Sequence, residues 1–195
     1  MCVDFRCKAS QRLCPILPIL IDRACLRVRE RCIFYRKGLP LKTATCVRKA
    51  TEDDIDSIHS IISSYSEEGI LLSRSIDDIG ASLENFHVAE VDRDMAGVIS
   101  FCDYGDHLKE VRSLAVRKNY LRRGIGSALL QKLITELTAA NDPRIFVLTY
   151  VPAFFEKNGF AVISVDTLPE KIWKDCVNCA RWDACSEIAL EYRRR

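Results

Sequence analysis

Residues 109–140 join a short apolar stretch, a basic glycine turn and a long amphipathic stretch, which together restrict the fold more than any other segment. The run from Val111 to Val116 predicts a buried strand, and apolar residues recur at helical spacing between Leu129 and Leu137. The turn between them reads Arg122-Arg123-Gly124-Ile125-Gly126-Ser127. A helix that begins at a glycine pair presents unpaired amide hydrogens and the positive end of its dipole, with no Cβ in the way. The segment therefore predicts an anion site suited to phosphate.

Two other phosphate-binding loops do not match this turn. The Walker loop needs Gly-x4-Gly-Lys-Ser/Thr, whereas here the glycines are one residue apart and no lysine follows them. The dinucleotide fingerprint needs a third glycine where Leu129 stands. A turn that only packs a helix closely against a sheet remains the alternative interpretation of the glycine pair.

The segments around the turn read VRSLAV, RKNYLRRGIGSALL, IFVLTY and VPAFFEKNGF in chain order. This series resembles the acetyl-CoA-binding core of the GNAT superfamily of N-acetyltransferases. In that family the turn reads Gln/Arg-x-x-Gly-x-Gly/Ala, and its amide groups hold the pyrophosphate of coenzyme A. Leu121 stands at the Gln/Arg position here, but Arg122 and Arg123 keep the positive charge. The resemblance implies acetyl-CoA as co-substrate. The expected binding residues are Leu114, Ala115, Val116, Arg122, Arg123, Gly124, Ile125, Gly126, Ser127 and Phe155.

The C-terminal part of the chain narrows the resemblance. Residues 148–190, with EEGILLSRS and FHVAEVDRDMAGVISF upstream, are similar to short N-acetylglutamate synthase-like proteins, the amino-acid N-acetyltransferases of arginine biosynthesis. This implies transfer of acetyl to the α-amine of a small amino acid, foremost L-glutamate, by direct attack in a ternary complex in the cytoplasm. Two alternatives stay open: a GNAT enzyme for a peptide, polyamine or drug-like amine, and a non-catalytic acyl-CoA-binding module.

The predicted elements follow the order βααβββαβαβ, which is the GNAT order and belongs to the α/β (α+β) class. Thr51 followed by Asp54 predicts the start of a first helix, and Ser75 followed by Asp78 that of a second helix reaching Phe86. Alternating residues on either side of 92–94 predict a hairpin, and Phe160 to Val165 predicts a long last strand. The resemblance implies a mixed central sheet with helices on both faces. It also implies that the strand before the glycine turn and the strand after residue 144 splay apart.

The first 44 residues differ in kind from residues 45–195, which we predict to be the acetyltransferase domain. Residues 1–46 carry ten Lys/Arg against three Asp/Glu and six of the ten cysteines. Three interpretations remain open: an incidental extension, an organelle transit peptide and a helical arm. The apolar run from Leu13 to Ile21 in this extension is too short to span a bilayer, so we expect no association with a membrane. A nucleic-acid arm is disfavoured because no array of aromatic residues accompanies the basic ones.

Acetyl transfer to an amine requires a neutral nitrogen, a polarised thioester carbonyl and a proton for the departing thiolate. By resemblance, Glu110 at the start of the central strand is the candidate general base, and the amide of Val116 polarises the carbonyl. Many relatives carry a tyrosine acid where this chain has Phe155, so Tyr150 is the remaining candidate. The alternatives are a solvated carboxylate for Glu110 and an ordinary strand-end aromatic for Tyr150.

A glutamate acceptor requires cations for its carboxylates, and arginine suits bidentate pairing. Arg112 is expected beside Glu110, since both alternate with Val111, and Arg74 follows a segment that borders the acceptor cleft in GNAT folds. Either could instead be a surface arginine.

The cysteines and histidines define no metal site in the sequence. Cys176, Cys179 and Cys185 supply three soft ligands where structural zinc prefers four, so we expect no metal. The thiols should be mostly free, because coenzyme A enzymes work in reducing compartments. The histidines show no ligand spacing and receive no role. The sequence leaves open whether the chain forms a homodimer.

Overall fold

The computed structural model describes residues 45–140, 142–179 and 184–193. The predicted extension over residues 1–44, and with it the domain boundary at residue 45, lies outside the described residues. The described strands are β1 (Thr45–Lys49), β2 (Phe86–Val91), β3 (Asp94–Asp103), β4 (Leu108–Val116), β5 (Arg144–Thr149), β6 (Phe160–Val162) and β7 (Ile188–Tyr192). The α-helices are α1 (Ile55–Glu67), α2 (Ile76–Ala81), α3 (Ile125–Ala140), α4 (Pro152–Lys157) and α5 (Pro169–Lys174). Together they form the expected mixed sheet with helices on both faces.

The helices before the sheet begin where the sequence predicts. Thr51 and Asp54 form a reciprocal capping box in a short 3-10 turn that leads into α1. Ser75 and Asp78 form a second capping box at α2. The second helix is shorter than expected, since α2 ends at Ala81 and a 3-10 turn precedes Phe86, which already belongs to β2.

The central sheet has the order β1-β2-β3-β4-β5-β7-β6 among the described residues. The predicted hairpin is confirmed: β2 and β3 pair antiparallel around Asp92 and Arg93, whose φ angles of 52° and 70° suit a tight turn of the I′ kind. Strand β4 continues the antiparallel pairing but carries a bulge at Ser113, with φ 50°, where the register to β3 shifts.

Strands β4 and β5 pair in parallel over three positions only, from Leu108 with Arg144 to Glu110 with Phe146. Strand β4 then continues to Val116 and β5 to Thr149 without further pairing between them. This is the expected splayed pair. The edge of β4 beyond Glu110 is therefore open toward β5, which leaves room for an extended ligand between the strands.

The C-terminal region corrects one expectation. The predicted long strand ends at Val162, because Ser164 caps a 3-10 turn that leads the chain into α5. A further strand, β7, then inserts between β5 and β6 and pairs antiparallel with both. Strand β7 is not predicted from the sequence, since its position depends on pairing partners far away in the chain.

The sheet separates two groups of buried side chains. On one face of the sheet, α3 packs through aliphatic side chains, of which Leu129, Leu130 and Leu133 are fully buried. On the other face α1 and α2 pack through Ile58, Ile62 and Ile79, also fully buried. None of the described helices is long and apolar enough to cross a membrane.

Candidate active site

The glycine turn leads directly into α3, as the anion-site prediction requires. The first helical hydrogen bond runs from the amide of Ala128 to the carbonyl of Gly124. The amides of Ile125, Gly126 and Ser127 therefore lack helical partners and point out of the N-terminus of α3. The side chains of Arg122 and Arg123 are exposed beside them. Backbone donors and the helix dipole thus coincide at one end of a 16-residue helix, and the turn before it carries two exposed arginines, of which Arg123 lies over the ring of Tyr120.

The two glycines of this turn serve different purposes. Gly124 has φ +82° and no atom within 4 Å of a Cβ built on it, so its conformation, and not crowding, favours glycine. A Cβ at Gly126 would meet the ring of Phe154 at 3.4 Å, an ordinary contact, and its φ is not in the left-handed region. This difference explains why the family pattern tolerates alanine at the second position but not at the first.

The two aromatic candidates, Phe155 and Tyr150, differ in burial. Phe155 is 3% exposed and packs edge-on against Phe154 and Phe160, so it belongs to the core. Tyr150 lies at the bend after β5 and is 40% exposed. Between α1 and the end of β4, Tyr65 donates its hydroxyl to the carbonyl of Val116 and anchors the strand from which the turn departs.

Five side chains on the face opposite α3 form one hydrogen-bonded group, which we call the β4 network. They are Tyr104, Glu110, Arg112, Lys171 and Asp175. Glu110 is 4% exposed and lies at the centre. Its Oε2 accepts from Arg112 Nε at 2.6 Å and lies 2.9 Å from the Tyr104 hydroxyl oxygen, while Lys171 Nζ lies 3.0 Å from Oε1. The predicted juxtaposition of Glu110 and Arg112 is present.

Asp175 completes the network from the end of α5. Its Oδ2 accepts hydrogen bonds from the Tyr104 hydroxyl, from Arg112 and from Lys171, the last at 3.1 Å. Burial alone would raise the pKa of the Asp175 carboxyl, but the Tyr104 hydrogen bond and the charges of Arg112 and Lys171 lower it to about 2. Burial and the neighbouring carboxylates raise the pKa of Tyr104, which stays protonated as a donor. The network therefore holds two carboxylates and two cations and is electrically balanced.

Arg74 adds a third cation beside this balanced group. Its Nη2 donates to Ser82 Oγ at 3.1 Å, and its guanidinium lies 5.6 Å from the ring centre of Phe86. Burial, and then the like charge of Arg112, lower the pKa of Arg74. Within the described part of the chain, no carboxylate forms a salt bridge with Arg74. The charge of Asp78 acts on Arg74 only at a distance, so the Arg74 guanidinium keeps donors that no carboxylate occupies.

Three members of the network were not singled out from the sequence. Tyr104 lies just past the end of β3, while Lys171 and Asp175 are four residues apart on the α5 segment. The i,i+4 spacing of a lysine and an aspartate was visible, but such pairs usually occupy exposed helix surfaces. Lys171 is instead only 8% exposed, because the segment that carries it packs over Glu110.

The cysteine-rich segment lies next to the network. Cys102, Cys176 and Cys185 are free thiols, and Cys46 is disulfide-bonded. Burial raises the pKa of the Cys176 thiol, which directly follows Asp175. Over residues 45–140, 142–179 and 184–193, no group of three or more His, Cys, Asp or Glu side chains is arranged to hold a metal ion.

Comparison with known proteins agrees with this geometry. The acetyltransferase (GNAT) domain family matches residues 82–162. The chain is 38% identical over 146 residues to an uncharacterized N-acetyltransferase of Chlorobaculum tepidum, covering 75% of this chain and 94% of that protein. It is 25% identical over 170 residues to the amino-acid acetyltransferase of Escherichia coli, covering 84% of this chain but 38% of that one.

A solved structure shows the same arrangement of elements. The N-acetylglutamate synthase of Neisseria gonorrhoeae, complexed with coenzyme A and N-acetyl-glutamate, superposes with a TM-score of 0.70 at 26% identity. The match covers 82% of this chain and 36% of that one. This chain thus spans little more than a third of the Escherichia and Neisseria proteins.

The fold, the splayed strands and the loop at α3 define an acetyl-CoA-dependent N-acetyltransferase. The chain belongs to the GNAT acetyltransferases, on the family match and on its identity to the Chlorobaculum protein. Enzymes of this family use acetyl-CoA as co-substrate, and the free amides and arginines of the turn fit its diphosphate.

Proposed function

We propose that this protein transfers acetyl from acetyl-CoA to the α-amine of an acidic amino acid, with L-glutamate the foremost candidate. The observation that carries the proposal is the position of Arg74, a cation without a salt-bridge partner in the described residues, beside a balanced ionic network. A cation placed there favours an acceptor with a net negative charge, which glutamate carries near neutral pH. A polyamine would be repelled there.

The two arginines suit the carboxylates of such an acceptor. Arginine presents a planar fork of donors that pairs with carboxylates through two parallel hydrogen bonds. Arg74 has further donors beyond the one directed at Ser82, and Arg112 reaches the same region from β4. We infer that Arg74 binds one acceptor carboxylate and that Arg112, with its network partners, supports the other.

The opposite face of the sheet would hold the co-substrate. We assign the diphosphate to the amides of residues 123–127 with Arg122 and Arg123, and the pantetheine arm to the backbone of Leu114 to Val116. Acetyl-CoA supplies the activated thioester, and the amide of Val116 is the proposed donor to its carbonyl. The gap between β4 and β5 beyond Glu110 supports this path, because it connects the turn with the β4 network.

Positioning is the main catalytic contribution that this site can make. An α-amine with a pKa of about 8 is roughly one-tenth neutral at pH 7, so a base can recover only about a factor of ten in population. Holding amine and thioester in contact contributes more. Glu110 is the proposed proton acceptor, although both its oxygens already accept hydrogen bonds, so the amine must reach it by exchange of a partner. Tyr150 is the proposed donor to the thiolate.

The relatives support the choice of acceptor. The Escherichia protein is named an amino-acid acetyltransferase, and the Neisseria structure contains N-acetyl-glutamate. On that basis we propose a cytoplasmic role in arginine biosynthesis for this chain as well. Since the chain covers only the smaller part of both relatives, the proposal concerns acetyl transfer alone.

The test is a thiol-release assay with acetyl-CoA and a panel of amines. We expect turnover with glutamate, weaker turnover with glutamine and none with spermidine or a neutral peptide. Arg74→Gln should raise the KM for glutamate about tenfold or more, since a hydrogen bond to a charged group contributes about 1.5–3 kcal/mol, and should change the KM for acetyl-CoA little. Turnover with spermidine but not with glutamate would reject the proposal.

A further inference from the structure

Asp175 occupies a position that the proposed function leaves unexplained. One of its carboxylate oxygens, Oδ2, accepts hydrogen bonds from Tyr104, Arg112 and Lys171 together. The residue directly follows the last turn of α5 and precedes the 3-10 turn Cys176–Asn178. Its side chain is 29% exposed, whereas that of Glu110, on the other side of the same cations, is 5% exposed. The network thus has an inner carboxylate on β4 and an outer one toward solvent.

The outer carboxylate is bound as a ligand carboxylate would be. A phenol, a guanidinium and an ammonium converge on one oxygen, which is the donor set that a carboxylate of an incoming amino acid requires. Arg112 directs Nε to Glu110 and Nη2 to both Asp175 and Tyr104. The same donor directions cannot serve Asp175 and an acceptor carboxylate at once. The two carboxylates must therefore compete.

We propose that Asp175 is an internal occupant of a carboxylate subsite formed by Tyr104, Arg112 and Lys171, and that an acceptor carboxylate displaces it on binding. The inference rests on the proposed acidic amino-acid acceptor, and it makes Asp175 a residue that determines specificity. A ligand that brings a carboxylate replaces Asp175 at the three donors. A neutral or cationic amine cannot, and it meets a subsite that is already filled.

The energetic consequence has a definite sign. When a protein binds its ligand only in the minor state with Asp175 released, the apparent affinity is reduced by the fraction of that state. Removing the charge of Asp175 while keeping its shape raises this fraction, so acceptor affinity rises. The opposite role, in which Asp175 holds Arg112 in the geometry that the acceptor needs, predicts that the same substitution lowers acceptor affinity.

The experiment compares the unaltered protein with Asp175→Asn in two measurements. Steady-state kinetics with glutamate should show KM lowered about fivefold or more, with kcat within about twofold and the KM for acetyl-CoA unchanged. Calorimetry with glutarate, a dicarboxylate without an amine, should show tighter binding to the coenzyme A-loaded variant than to the unaltered loaded protein. Prior loading with coenzyme A keeps glutarate away from the arginines of the turn.

Two further variants control the result. Asp175→Glu keeps the charge and should leave both measurements closer to those of the unaltered protein. Glu170→Gln removes a carboxylate from the same helix, where it pairs with exposed His107 at 3.0 Å outside the network, and should change neither. A raised or unchanged KM together with unchanged or weaker glutarate binding in Asp175→Asn overturns the inference. Absence of turnover with glutamate rejects only the proposed acceptor, because the glutarate comparison still decides the competition.

Discussion

The turn before α3 and the β4 network use different chemical groups: the turn uses backbone amides and the network uses charged side chains. The turn before α3 uses consecutive residues and backbone amides, and its side chains are exposed. The β4 network uses side chains from three elements, and Tyr104 and Asp175 are 71 residues apart. A site made of backbone can hold a co-substrate common to a whole family while the side chains vary. A site made of paired charges is changed by any single substitution, so the difference places acceptor choice in the network.

The largest effect should follow from Glu110→Gln. The substitution removes the inner carboxylate, so that Lys171 and Arg112 keep only Asp175 as a charged partner. Breaking a buried ion pair costs about 3–5 kcal/mol, so we expect a lower unfolding midpoint, and we expect kcat/KM for glutamate to fall at least about a hundredfold. Denaturant titration and the thiol-release assay measure the two quantities.

The pattern of the loss separates two roles of Glu110. A proton acceptor lowers kcat and alters the acidic limb of the pH profile, whereas a residue that only positions Arg112 and Lys171 raises the KM of the acceptor. The dissociation constant for coenzyme A should not change in either case. A parallel loss of coenzyme A affinity would show that the turn and the network are coupled, and the contrast between the two sides would fail.

The next effect concerns a buried histidine hydrogen-bonded to a carboxylate on the α3 side. His87 is fully buried in β2, and its Nε2 lies 2.6 Å from Glu136 of α3, with Lys49 and Lys132 nearby. Burial, and then the charge of Lys49, lower the pKa of His87 to about 4. The unfolded chain, with an ordinary histidine, binds the proton first. The stability that this histidine confers is therefore complete above about pH 6.5 and decreases toward pH 4, by up to about 3 kcal/mol.

Denaturant titrations between pH 7 and pH 4.5 test this linkage. We expect His87→Gln, which keeps a neutral donor toward Glu136, to flatten the dependence of unfolding free energy on pH over that interval. The depressed pKa of Glu136, about 2, contributes only at lower pH. An equally steep dependence in the variant would assign the acid sensitivity to groups other than His87.

The features that could be predicted from the sequence are those that depend on consecutive residues, as the turn before α3 does. The hairpin at Asp92 and Arg93 and the capping boxes at Thr51 and Ser75 depend on a few consecutive residues, and all three are confirmed. The resemblance also supplied the splayed strands. Arg112 was expected beside Glu110 because alternation along one strand is local information.

The remaining features depend on the fold. The insertion of β7 between β5 and β6 could not be read from its five residues, because register and neighbours of a strand are set by partners elsewhere. Lys171 contacts Glu110, 61 residues earlier in the chain, only because the α5 segment packs over the sheet, and Asp175 joins the network through Lys171 and Arg112. The hydrogen bond between buried His87 of β2 and Glu136 of α3 likewise depends on how the two elements pack.

Substitution of the glycines sharpens the claim that the turn acts through its backbone. Gly124→Ala forces a non-glycine residue to φ +82°, which costs about 1–2 kcal/mol, and should raise the KM for acetyl-CoA about tenfold. Gly126→Ala is the matched control, since its new methyl group meets Phe154 at an ordinary distance and should change that KM less than threefold. Equal effects of both substitutions, or a change in the KM for glutamate, would contradict the claim that the backbone conformation at Gly124 serves acetyl-CoA binding alone.

The smallest effect is expected at Leu121, which is 49% exposed where the family pattern has glutamine or arginine. Leu121→Gln adds a polar side chain next to the amides of the turn without altering a buried contact. An exposed hydrogen bond contributes about 0.5 kcal/mol, so coenzyme A affinity should rise about twofold in calorimetry while all acceptor constants stay the same. Leu121→Met, which adds no hydrogen-bond donor, is the control. A gain of tenfold or more would mean that side chains contribute as much as the backbone at this turn, which is the opposite of what the contrast with the β4 network predicts.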